Sequence, residues 1–231
     1  MNEIIEYSPS LLEGFFLTIT LGITSFLAAL FFGLGAAFLS FSQSKTLRFT
    51  ISSYTTIIRG IPDLVLIFLF FYGIQELLNW ITGLIGTKNI FLTPFISGVI
   101  TIGFYFGAFI TETFRGAILA VPKGQVEASV ALGMPKNHIY RRILFPQAMR
   151  FALPGLSNNW LVLLKTTALV SLIGLQDLVF MANNAGKATR LTFNFYMVAS
   201  IGFLLFTSLS ILVIRFLERR YSLGFSTEVS I

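Results

Sequence analysis

Cysteine is absent from the 231 residues, which excludes disulfides, thiolate catalysis and cysteine-based metal sites and leaves the compartment unread from redox usage. Charge is scarce: 11% of residues are Asp, Glu, Lys or Arg, against about 25% in a water-soluble domain. Histidine occurs once, as His138 beside basic residues, and a single ligand defines no metal site, so none is expected. No GxxxxGK(S/T) stretch offers a phosphate cradle; Pro122-Lys123-Gly124 has the Lys without the preceding glycines. GxSxG does not occur either, and no clustered acid–base pair is visible. The chain is therefore expected to be no enzyme and to bind no cofactor of its own.

Apolar length is what remains. Hydrophobic residues make up 55% of the chain and the mean hydropathy is +0.82. An integral membrane protein follows, all-α, with one transmembrane domain over 1–231 and about five spans, near 15–39, 64–80, 93–119, 155–175 and 192–214. The first of these carries Gly33 and Ala37, a small-xxx-small pair suited to close helix packing. Met1–Glu13 contains Glu3, Glu6 and Glu13 and no Lys or Arg, the reverse of a secretory signal's basic start, so no cleaved signal is expected. With the N-terminus outside, Lys45, Arg48, Arg59, Arg115, Lys123, Lys136, Arg141, Arg142, Arg150, Arg215, Arg219 and Arg220 fall inside, against Lys88, Lys187 and Arg190 outside. The positive-inside asymmetry thus sets the orientation, and it accounts for the net charge of +6 without nucleic acid.

Polar residues inside such a chain are the informative ones. Arg59-Gly60-Ile61-Pro62-Asp63 interrupts the second helix, because Pro62 removes a backbone donor; Arg59 and Asp63, one turn apart, are expected to pair. Glu76–Asn89 reads as an external loop with Trp80 in the interfacial belt. Glu112 near the inner end of the third span has Arg115 at i+3 as a structural ion-pair partner. The fourth span carries Asn158, Asn159, Lys165, Thr166 and Ser171, and an unpaired Lys165 at mid-depth would cost about 2.5–3.5 kcal/mol. Asn158, Lys165 and Thr166, at spacings of seven and eight, are expected to share the side that lines a solute pathway. A short external helix is expected within Gln176–Arg190. An ATP-independent carrier or channel, relaying charge through Glu112 and Lys165, is the rival reading of these residues.

The longest polar stretch is Gly124–Pro146, GQVEASVALGMPKNHIYRRILFP. Two short helical patterns, Gln125–Leu132 and Asn137–Phe145, flank a Gly133-Met134-Pro135 break. Small side chains on the first would let a partner's backbone approach, with Gly133 as the close-approach point, while Lys136, Arg141 and Arg142 suit an anionic inner surface. It reads as a docking helix.

Glu127-Ala128-Ser129, then Gly133, Ile143 and Pro146, resemble the EAA signature of the membrane subunits of ATP-binding-cassette importers. Ser129 stands where that signature has its second Ala and Phe145 where it has Leu. Arg59-Gly60-Ile61-Pro62, Thr111-Glu112-Thr113-Phe114-Arg115-Gly116, Val121-Pro122-Lys123-Gly124 and Ala152-Leu153-Pro154-Gly155 extend the likeness over about residues 10–224, to the polar amino acid uptake branch and its Q-type permeases for histidine, lysine, arginine and ornithine. The resemblance implies a type I importer permease fold in a bacterial inner membrane, N-terminus periplasmic and C-terminus cytoplasmic, with a coupling loop over 120–150. It implies that Glu127, Ala128, Ser129, Gly133, Ile143 and Pro146 couple to an ATPase dimer that holds ATP and Mg. A second, M-type permease chain and a periplasmic amino-acid-binding protein are the other implied partners, beside membrane lipid. The implied substrate region comprises Tyr105, Phe109, Asn159, Lys165 and Thr166. Some relatives have an acid where Asn159 or Thr166 stands, so the resemblance leaves the partner chain to hold a cationic side chain.

Overall fold

The computed structural model describes residues 2–86 and 91–222, and every regular element among them is helical. α1 (Asn2–Glu6) leads into α2 (Ser8–Ser40), the first long apolar helix. α3 (Lys45–Gly60) is amphipathic and starts where the Ser44 hydroxyl accepts from the Leu47 N–H at 3.4 Å. Ile61 and Pro62 break the run, and α4 (Asp63–Ile85) resumes it. α5 (Pro94–Ala120) begins at an N-cap, Thr93, followed by Pro94 in the first turn. The short α6 (Lys123–Ala131) stands outside the long helices.

From Lys136 the chain is one continuous helical rod to Ile173: α7 (Lys136–His138), a π turn over Ile139–Leu144, α8 (Phe145–Thr166) and a 3-10 segment over Thr167–Ile173. α9 (Leu178–Thr189) is capped by Asp177, and α10 (Thr192–Ser222) closes the described chain. Among the described residues, five helices are long and apolar enough to cross a membrane.

α5 lies at the centre, and most of it is buried, whereas α4 and α10 are largely uncovered. Gly103, Gly107 and Thr111 face α2, Ala108 packs against Ile58 and Leu66 of α3 and α4, and the Thr111 hydroxyl donates to the Gly107 and Gly33 carbonyls at 2.7 and 3.3 Å. Leu21, Ile102, Phe106, Ile110, Leu163 and Val170 fill the core between α2, α5 and the rod.

Two expectations change here. α4 continues to Ile85, so Glu76 and Trp80 are helical; Gly73 and Gly83 sit on an uncovered face with open space beside them and break nothing. Lys88 and Asn89 lie outside the described residues. The fourth span does not begin at Gly155 but grows out of the polar segment that starts at Lys136. Pro146 falls in the first turn of α8, where a missing N–H costs little, and Pro154 is carried inside the helix.

Candidate functional site

Two polar regions stand out, one at the α6 end of the bundle and one at the α3/α4 break. At the first, α6 packs on the π turn of the rod, with Ser129 and Ile139 as the buried residues of the two segments. Ser129 turns inward and donates to the Gln125 carbonyl at 2.7 Å, while Glu127, Ala128, Gly133 and Pro146 are exposed and Ile143 is half-buried. Val130 and Leu132 expose 60% and 82% of their surface on a helix outside the spans, an apolar display with nothing of this chain covering it. Asn137, His138, Arg141 and Arg142 line an open basic depression beside it.

α6 ends in a Schellman motif. The Gly133 N–H donates to the Val130 carbonyl at 2.9 Å and the Met134 N–H to the Ser129 carbonyl at 3.1 Å, with Gly133 at φ +73°. A Cβ on Gly133 would meet nothing within 4 Å in this chain. Left-handed backbone is thus what this chain requires of Gly133; a close approach can come only from outside it.

The second region assembles residues from four elements. Asp63 begins α4, its Oδ1 accepting from the Leu64 N–H at 2.9 Å and its Oδ2 from the Thr166 hydroxyl at 3.3 Å. Tyr105, near the middle of the 27-residue α5, lies within electrostatic reach of Asp63 and packs edge-on against Phe109, with ring centroids 5.2 Å apart. Arg59, the last-turn cation of α3, places its guanidinium 5.2 Å above the Phe109 ring. The expected Arg59–Asp63 ion pair is not made: the break swings Arg59 onto the aromatic face and turns Asp63 towards the rod. Among the described residues, the ion pair present is Glu112–Arg115, at 2.9 Å.

The polar face of the rod also divides. Asn158 and Lys165 are exposed, but Thr166 is buried and stacks with buried Asn159 one heptad below. The expected single side holding Asn158, Lys165 and Thr166 is corrected to two, because the eighth residue on is turned about 80° from the first, at roughly 100° per residue. Asn159 is committed to structure: its amide donates to the Thr113 hydroxyl on α5 at 3.1 Å. Beside it, a Cβ on Gly155 would stand 2.7 Å from the Thr113 methyl, so rod and α5 are in close contact there. Ser171 donates to its own helix at the Ala168 carbonyl. Sequence reasoning left Asp63 out of the pathway. The Pro-Asp pair at a helix restart was the available signal, since Asp in a first turn marks a break that carries charge to the depth of its neighbours.

Among the described residues, five helices able to cross a membrane, an amphipathic helix broken from the second of them at Ile61-Pro62 and a helical excursion between the third and fourth define a polytopic helical membrane protein. The chain belongs to the family described as binding-protein-dependent transport system inner membrane component, whose model matches residues 29–223. It is 48% identical, over 94% of its length and 96% of the relative's, to the histidine/lysine/arginine/ornithine transport system permease protein HisQ of Escherichia coli K12. It is 41% identical to the octopine transport system permease protein OccQ of Rhizobium meliloti, with 90% of this chain and 88% of that one covered. Among solved structures it matches an amino acid ABC transporter with histidines at a TM-score of 0.81 and 29% identity, covering 94% of this chain and 96% of that one.

Proposed function

We propose that the chain is the membrane subunit of an ATP-driven importer of basic amino acids, chiefly histidine, arginine, lysine and ornithine. The observation that carries this reading is the 48% identity, spread along nearly the whole chain, to a permease named for those four solutes. On this reading the chain forms the pathway with a second, related permease, and a separate ATPase dimer holds ATP and Mg. The N-terminus faces the periplasm and a periplasmic amino-acid-binding protein delivers solute.

α6 and the π turn are the ATPase-docking surface, with Glu127, Ala128, Gly133 and Pro146 exposed to meet it and Val130 and Leu132 supplying apolar area. Ser129 faces its own helix, so a Ser in place of Ala there leaves the docking face unchanged. ATP-driven closure can move the bundle only by the difference in its affinity for the two states, so the docking contacts must change strength as the pathway opens. Tyr105, Phe109, Asn158, Lys165, Thr166 and Ser171 belong to or border the pathway, with Asn159 holding the rod to α5. Mild-detergent purification of the tagged chain at native expression should yield an ATPase in two copies and a second five-span chain. A stable particle without an ATPase would overturn the docking assignment and bring the ion-coupled carrier forward.

A further inference from the structure

Asp63 is a carboxylate level with the middle of the central helix, and among the described residues it forms no ion pair. Charged groups at membrane depth are held by a partner or face a water-filled path. Its potential partners are occupied or apart: Arg59 rests on Phe109, and Lys165 is exposed and forms no ion pair with it. The surroundings add acceptors. α3 ends at Gly60 with Pro62 two residues on, so no N–H from position 62 closes its last turn, and the negative end of α3 stays open beside the acid. The Thr166 hydroxyl, fixed between Asp63 and the Val162 carbonyl at 3.3 Å each, ties the acid to the rod that rises from the docking surface. Broken spans of this kind present helix ends and unwound backbone to solutes in many transporters.

We infer that Asp63, steadied by Thr166, is the group with which this chain recognises the positively charged side chain of its solute. Asp63 enters from the start of α4 and is held to the rod across the 3.3 Å hydrogen bond from Thr166. This chain therefore holds the cationic group itself and does not leave that task to a partner permease. The inference rests on the importer reading above and narrows it to one residue.

The test is import into proteoliposomes by the complete complex, with its binding protein and ATP, of radiolabelled arginine and histidine at pH 8. Arginine is a cation there and the histidine imidazole, with an ordinary pKa of about 6.5, is mostly neutral. Since a hydrogen bond to a charged group is the interaction removed, Asp63→Asn should lower arginine import about tenfold or more relative to histidine import, and Asp63→Glu should keep most of the preference. Equal loss of both solutes, or no change in their ratio, overturns the assignment and makes Asp63 a helix cap only. Should Asp63→Asn fail to assemble, Thr166→Val decides by the same ratio, with a smaller selective loss of arginine expected and an equal loss overturning. A wild-type complex that imports neither solute sinks the importer reading, and this inference with it.

Discussion

Replacing Gly133 separates two demands on one residue. Its φ of +73° lies where an L side chain costs about 1–2 kcal/mol, with Asn and Asp more tolerant than Ala. Among the described residues, no atom beyond the chain neighbours lies within 4 Å of where a Cβ would go, so the conformational cost is the one these contacts give. The two Schellman hydrogen bonds should loosen accordingly: amide exchange at Gly133 and Met134, measured on the chain in detergent, should quicken about 5- to 30-fold in Gly133→Ala and less in Gly133→Asn or Gly133→Asp. Coupling in the assembled complex follows a different order. If the ATPase backbone approaches this point, transport per ATP hydrolysed should fall most in Gly133→Asp, which adds bulk and charge, although its local exchange is among the least disturbed. Unchanged exchange in Gly133→Ala refutes the conformational argument, and normal transport by Gly133→Asp refutes the docking assignment.

Two further outcomes follow from buried polar groups. Asn159→Ala removes the amide bonded to Thr113 at 3.1 Å between two packed helices and should cost about 1–3 kcal/mol, read as a lower Tm in detergent, while the arginine-to-histidine import ratio stays as in wild type. Asp177, between the rod and α9 and outside the spans, is fully buried; one oxygen accepts from the Phe180 N–H at 2.9 Å and the other has no hydrogen-bond partner. Burial pushes its carboxyl up to about 7, so the folded state holds the proton more tightly than the unfolded chain. Stability should therefore fall as pH rises from about 4 to about 7 and level off above that. Asp177→Asn should remove that slope, so its advantage in Tm over wild type should be larger at pH 8 than at pH 5; an equal difference at both would show that Asp177 does not titrate there.

Hydropathy and the positive charges carried the five spans, because a lipid-crossing helix must be long and apolar whatever it packs against. The fine structure depended on contacts that no window of sequence contains. Glu76 was read as leaving the membrane, yet it is an exposed residue on a helix with one uncovered face, and a charge there does not stop the helix. The pattern Asn137–Phe145 and the fourth span were read as separate elements, yet Pro146 lies in the first turn of α8 and the helix runs on from Lys136. Asp63 was given to Arg59 by one-turn spacing, which presumes an unbroken helix; Gly60 and Pro62 removed that premise. The break at Gly133 was readable from the sequence, whereas the inward turn of Ser129 and the left-handed backbone at Gly133 needed the geometry of α6.

That rod has a mechanical meaning. It is pinned to α5 at Gly155 and Asn159, about 28 Å above its foot at Lys136 and about 16 Å below Thr166, at about 1.5 Å per residue. Were the rod to turn as a bar about that contact, its two ends would move in opposite senses. A sideways push of about 2 Å at the foot would swing Thr166 the opposite way by about 1 Å, since the arms stand at about 28 to 16. A displacement of that size directed away from Asp63 would carry the 3.3 Å hydrogen bond from Thr166 beyond bonding distance, so motion at the foot would loosen the hold on the acid at the other end.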